Sequence, residues 1–272
     1  MINHPVRLAV FDIDGTLIGR AHPLGQGQIT ALRGLHEAGI TLALASSRQR
    51  ASLLDLADVF GVPLYLISYN GPLVNAPDGR QIAVCEVEIP AALAEALAAF
   101  VAEGGCVHVY GQTTWQAYGP DWRIDNEATG GGMVPDVRAR RLEPSELPAR
   151  ALKIMCDGPR DVLGGVSEVV ARYPSLVLSW SGTECHDIHA ATATKGHGLQ
   201  RLADDLRIDT AHTVAFGDAD SDISMLRAAG TGFAMGAAPD RVIAAADARL
   251  GAPGSGELEV LLGDIARAQR TG

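Results

Sequence analysis

The chain has 272 residues, 47% of them hydrophobic and 20% charged, with a formal charge of -10. That length buries a sizeable core in one large domain or two smaller ones, and the composition excludes a disordered or fibrous chain. The acidic balance repels nucleic acid and anionic membrane surfaces unless a local basic patch exists, and the densest cluster, Arg138, Arg140 and Arg141, is short and flanked by acids.

In chain order, residues 8–11 form a short apolar run stopped by acids and Gly15, the pattern of a buried parallel strand ending in a functional loop. Residues 28–38 carry Ile29, Leu32 and Leu35 on one stripe with Gly39 as a stop, which predicts a helix. A strand over 41–45, a helix over 52–60 closed by Gly61 and a strand over 64–67 follow. Strand and helix alternate, so a parallel sheet with right-handed crossovers is expected.

After Asn70-Gly71 the pattern changes. Residues 74–89 alternate around a Pro77-Asp78-Gly79 turn, as in antiparallel strands. Pro90 opens an alanine-rich helix to about 103, strands are expected over 107–110, 152–156 and 176–180, and a second helix near 162–172. Between them lie Trp115, Tyr118 and Trp122 and a glycine triplet at 130–132. Residues 82–188 thus form an inserted α+β domain, interrupting a core of residues 1–81 and 189–272. The core resumes with a helix over 198–206, strand 213–216, helix 223–229, strand 232–235 and helix 239–246. The expected fold class is α/β: a Rossmann-like parallel sheet with helices on both faces, plus the insertion.

Cys85, Cys106, Cys156 and Cys185 lie far apart with no Cys-x-x-Cys pair, so neither a zinc knuckle nor a dithiol motif is offered and reduced thiols are expected. The first residues run into Asp12 and Asp14 after a very short apolar stretch, unlike a signal peptide, and no apolar run reaches bilayer length. Cytoplasmic residence is the expectation. His186 and His189, three apart in a strand, point to opposite faces and are given no ligand role.

The chemistry concentrates at strand ends. Asp12-Ile13-Asp14-Gly15-Thr16 follows the first strand, where open α/β sheets bind ligands. Two acids one residue apart can divide labour, one attacking as nucleophile and the other giving and taking protons. Ser46-Ser47-Arg48 ends the second strand before a helix, a place where hydroxyl and N–H groups hold phosphate oxygens. Lys195-Gly196 heads a core helix. Gly217-Asp218-Ala219-Asp220-Ser221-Asp222 ends another strand, and its three acids repel one another unless a hard cation such as magnesium is bound.

These four segments, in this order, resemble the motifs of the haloacid dehalogenase superfamily phosphatases, specifically the Cof-type branch, subclass IIB. Ile67-Ser68-Tyr69-Asn70-Gly71 and Gly232-Phe233-Ala234-Met235-Gly236 are similar to that branch's segments before the cap and after the fourth motif. The resemblance implies Asp12 as nucleophile and Asp14 as general acid/base, with Ser46, Ser47, Lys195 and Ser221 around the phosphate. It implies Mg2+ held by Asp12, the Asp14 carbonyl and Asp218, with Asp222 binding through water or orienting the others. Residues 82–188 would be the cap that selects the leaving group. Three departures from the family pattern stand out: Ser46-Ser47 replaces Thr-Gly, Ser221 replaces Asn and Asp187 replaces Glu.

The expected activity is hydrolysis of a small phosphorylated metabolite, such as a sugar phosphate, through an aspartyl-phosphate. A phosphotransferase or mutase using the same intermediate and a non-catalytic phosphoryl-ligand sensor are the alternatives. Trp115, Tyr118 and Trp122, with Arg123 and Asp125 nearby, either stack on the leaving group or form the insertion's own core. The expected partner is a small phosphate ester, with no nucleic acid and no membrane; monomer and weak dimer stay open.

Overall fold

The computed structural model describes all residues except 1, 3, 20, 21, 132, 133, 181–183 and 272. The chain folds as two compact units, Met1–Ala83 with Thr194–Gly272, and Val84–Ala193.

The first unit is built on an eight-stranded sheet. From one edge the strands run Ala248–Arg249, Thr231–Ala234, Thr213–Gly217, Leu8–Phe11, Thr41–Ala45, Tyr65–Ser68, Leu73–Asn75 and Gln81–Val84. The first six are mutually parallel, and the seventh turns back antiparallel on Tyr65–Ser68. Leu8–Phe11 is central because all four of its residues are apolar and fully buried, as a strand covered on both faces requires. Its side chains alternate between two cores. Ala9 and Phe11 join Leu32, Leu53 and Leu262 on one face, while Leu8 and Val10 join Leu199, Leu202 and Met225 on the other. Phe11, Phe216 and Phe233 stack across three adjacent strands, with centroid separations of 4.8 and 5.1 Å.

Strand order reverses beside Leu8–Phe11: the next strands in sequence lie on one side of it and Thr213–Gly217 on the other. Such a reversal opens a crevice at the carboxyl ends of the two central strands. It brings together residues 12 and 218, which stand near opposite ends of the chain.

The second unit carries a six-stranded sheet ordered Leu176–Trp180, Cys185–Ala190, Lys153–Asp157, Cys106–Tyr110, Trp115–Tyr118 and Val137–Ala139. Its pairs are antiparallel except the last. Leu93, Leu97 and Phe100 of helix Ala91–Ala102, with Val166 and Val170 of Gly164–Val170, pack with Val107, Ile154 and Ile188.

Several elements differ from the sequence-based expectation. Strand Cys185–Ala190 runs across the anticipated boundary at 188/189, so residues 189–193 belong to the second unit rather than to the first. Strand Trp115–Tyr118 and helix Asp121–Gly131 occupy the aromatic segment; Gly130 and Gly131 end that helix, and Gly132 lies outside the described residues. The anticipated helix over 239–246 is reduced to Asp240–Ile243. A fifteen-residue helix, Glu257–Thr271, places Leu258, Leu262, Ile265 and Ala266 in the first unit's core and packs on helix Gln26–Glu37. Among the described residues, no helix is long and apolar enough to cross a membrane.

Candidate active site

The site is assembled from four chain segments at the carboxyl edge of the first unit's sheet. Asp12 continues the central strand by one residue, its N–H donating to the Phe216 carbonyl at 2.9 Å, and its side chain is buried. Gly15 has a φ of +99°, and a Cβ there would lie 2.1 Å from Asp218 Oδ2. Only glycine allows both the left-handed turn and the approach of the Asp218 carboxylate. Gly71 does the same for the neighbouring segment: at φ +125°, its absent Cβ would fall 2.1 Å from the Thr194 carbonyl, just before Lys195.

Lys195 opens helix Lys195–Leu206, whose N-cap Thr194 accepts from the His197 N–H at 3.1 Å. Its side chain is 2% exposed, and the ammonium donates to Asp12 Oδ1 at 2.5 Å and to Asp222 Oδ1 at 2.6 Å. Asp222 Oδ2 accepts the backbone N–H groups of Asp218 and Ala219, both at 2.9 Å. Thr16 Oγ1 donates to Asp218 Oδ1 at 3.1 Å. One oxygen from each of Asp12, Asp218 and Asp222 lies within 4.8 Å of the others.

Three carboxylates thus face one ammonium in a place where water is scarce. Burial pushes the Asp12 carboxyl up to about 7; the Lys195 charge opposes this, and the Asp222 and Asp218 charges add to it. Asp218 moves the same way, through burial and then the Asp222 charge. For Lys195, burial alone would lower the proton affinity, but the Asp12 and Asp222 carboxylates outweigh it and keep the amine charged, above its ordinary value. The excess negative charge, the clustered oxygens and the all-oxygen donor set fit a hard divalent cation.

The other residues singled out in the sequence are placed differently. The Asp14 carboxylate lies outside the acidic cluster and is gripped by Arg48, whose Nε donates to Oδ2 at 2.9 Å and Nη2 to Oδ1 at 2.6 Å. Ser46 is buried after the second strand, its Oγ accepting from the Arg48 N–H at 3.2 Å. Ser47 and Ser221 are exposed, and neither side chain hydrogen-bonds to the Lys195 group. Arg48 and Thr16 stand inside the sequence motifs without a role assigned from them, and both prove to be partners of the site's carboxylates. The signal for Arg48 was present: a guanidinium directly after two serines at a strand end.

In the second unit, Trp115 and Tyr118 are 1% exposed and belong to its interior, whereas Trp122 is 57% exposed with the Arg123 guanidinium 4.4 Å from its ring centroid. Arg123 also pairs with Asp157 and Glu184. Asp125 is held by Arg138. Asp187, which replaces the family's Glu, is buried and accepts from Lys153 Nζ at 3.2 Å. The four cysteines are free thiols.

An α/β sheet with a strand-order reversal, carrying an Asp-x-Asp pair, a buried lysine and a further acidic loop at its carboxyl edge, defines an enzyme class built to handle anionic esters. The chain belongs to the haloacid dehalogenase-like hydrolase family, whose sequence profile matches residues 9–252. It is 28% identical to an HMP-PP phosphatase of Cronobacter sakazakii over 241 residues, spanning 88% of this chain and 87% of that protein. A phosphatase of the same superfamily from Bacteroides thetaiotaomicron superposes with a TM-score of 0.77 at 26% identity, over 97% of this chain and 96% of that one. A subclass IIB sugar phosphatase shares the fold, with a TM-score of 0.78 at 24% identity over 95% and 98% of the two chains. The resemblance to the Cof-type branch holds over nearly the whole chain, and the protein is an enzyme of the phosphatase type within its family.

Proposed function

We propose that the enzyme is a magnesium-dependent phosphomonoesterase that cleaves a small phosphorylated metabolite through an aspartyl-phosphate on Asp12. The observation that carries this reading is the Lys195 ammonium held between Asp12 and Asp222 beside Asp218. A carboxylate attacking a phosphate dianion meets like-charge repulsion, and a fixed ammonium beside the nucleophile offsets it throughout the in-line displacement.

Asp12 attacks phosphorus, the ester P–O bond breaks, and Asp14 gives its proton to the departing oxygen. Water then attacks the phosphorus of the aspartyl-phosphate while Asp14 takes a proton back, which releases inorganic phosphate and the Asp12 carboxylate. Lys195 stays charged and binds the phosphoryl oxygens. The Ser46 hydroxyl and the Ser47 N–H offer further donors, and Ser221 stands on the turn after Asp218 as an additional phosphate contact. Asp12, Asp218 and the Asp14 carbonyl would hold magnesium, which when bound neutralises charge on the phosphoryl oxygens. Both Asp222 oxygens are already engaged, so its part is to orient Lys195 and the 218–219 backbone.

The first unit is assigned the chemistry and the second the selection of the leaving group. Similarity to an HMP-PP phosphatase supports a small phosphorylated metabolite as substrate. The test is phosphate release from a panel of phosphorylated metabolites, with magnesium and with EDTA. Magnesium-dependent turnover of one or more members is expected, and release unaffected by EDTA would count against the metal assignment.

A further inference from the structure

Arg48 and Asp14 form a two-point contact, at 2.9 and 2.6 Å, that the phosphoryl chemistry set out above leaves unused. Both side chains reach solvent, at 35% and 55% exposure. An ion pair this open adds little to stability, so its consequence is geometric. A planar guanidinium that meets both carboxylate oxygens fixes the position and the plane of the carboxyl group. Without it, an aspartate on a turn samples several rotamers.

The root of Arg48 is itself braced. Its N–H donates to Ser46 Oγ at 3.2 Å, its carbonyl accepts from the Tyr69 N–H at 3.0 Å, and the Asn70 N–H reaches the Ser46 carbonyl at 2.8 Å. Tyr69 and Asn70 hold left-handed φ values of 57° and 67° to make those bonds. The arginine therefore hangs from a cross-tied turn and passes that turn's rigidity to a side chain 34 residues earlier.

We propose that Arg48 is a positioning residue that sets the Asp14 carboxyl for proton delivery to the leaving-group oxygen. The proposal rests on the reading of Asp14 as proton donor. It separates two kinds of ester. A phenolate leaves without a proton, whereas an alkoxide needs one as the P–O bond breaks.

The test compares kcat/KM, which reports events up to leaving-group departure, for an alkyl phosphate and for p-nitrophenyl phosphate. Arg48→Met should lower the alkyl value about 10²-fold and the aryl value far less. Arg48→Lys should recover part of the loss, because an ammonium can hold the carboxylate but not its plane. In an Asp14→Asn background, Arg48→Met should bring no further alkyl loss, since its effect runs through residue 14. Equal losses on both esters, or an undiminished Arg48→Met effect in that background, would overturn the proposal while leaving Asp14 as donor. If Asp14→Asn alone fails to separate the two esters, the donor assignment falls and takes the proposal with it. Should Arg48→Met fold poorly, Arg48→Lys carries the same cycle.

Discussion

Lys195 and Asp222 are both sealed from solvent and joined at 2.6 Å, with the second Asp222 oxygen capping the two N–H groups of the 218–219 turn. The aspartate thereby ties the Lys195 amine to the loop that carries Asp218. Removing it leaves a buried ammonium with one fewer partner and two N–H groups without an acceptor. Asp222→Ala should cost about 3 kcal/mol of stability, read as a lower denaturation midpoint in urea at unchanged slope. A midpoint equal to the parent's would show that the tie carries no load.

Asp12→Asn should abolish turnover of an aryl phosphate by several orders of magnitude, because an amide oxygen is a poor nucleophile toward phosphorus. The variant should stay folded, since an amide can still accept from Lys195. Activity within about tenfold of the parent excludes the covalent route.

Magnesium should stabilise the protein more at pH 8 than at pH 5. Asp12, raised from 3.8 to about 7 by burial, contributes stability below the ordinary carboxylate range that is lost as pH rises through about 7. In the ionised form it is free to bind the cation; in the protonated form a proton competes. The increase in Tm on adding magnesium should therefore grow from pH 5 to pH 8, and the acid limb of the activity profile should move to lower pH as magnesium is raised. A Tm increase larger at pH 5 would contradict the assignment of Asp12 as ligand.

Gly15→Ala forces a Cβ into the Asp218 carboxylate at a positive φ. It should weaken magnesium binding by about tenfold or more, as displaced metal-site partners do. The check is the magnesium concentration that gives half-maximal activity, with the far-ultraviolet circular dichroism unchanged. An unaltered requirement would separate Asp218 from the metal site.

Trp115 and Trp122 should part company. Trp115→Ala empties a fully buried position and should cost about 3–5 kcal/mol, whereas Trp122→Ala, at an exposed site, should stay within about 0.5 kcal/mol. Thermal unfolding of the two variants distinguishes them, and comparable losses would place Trp122 in the packed interior as well.

Much of the arrangement was legible in the residues. Runs such as 8–11 and 42–45 are apolar throughout, and the residues that stop them, Asp12, Asp14 and Gly15 in one case and Ser46 and Ser47 in the other, mark the sheet's functional edge. The elements that escaped have mixed or broken patterns. Trp115-Gln116-Ala117-Tyr118 is too short for periodicity to identify, and Cys185–Ala190 carries two consecutive polar residues, His186 and Asp187, that are nonetheless buried. The terminal helix did carry a signal in the spacing of Leu258, Leu262 and Ile265, behind a glycine-rich stretch that drew no prediction.

By itself the sequence determined which chemical groups exist and where on each strand they stand: an Asp-x-Asp pair, serines, a lysine and an acidic loop, each at the end of an apolar run or the head of a helix. Tertiary structure alone decided their pairing. That Lys195 lies between Asp12 and Asp222, and that Asp14 turns instead to Arg48, follows from the order in which strands assemble in the sheet. Spacing along a chain fixes which face a side chain occupies. It does not fix which distant strand becomes the neighbour, because that choice is settled by burying all the apolar faces at once.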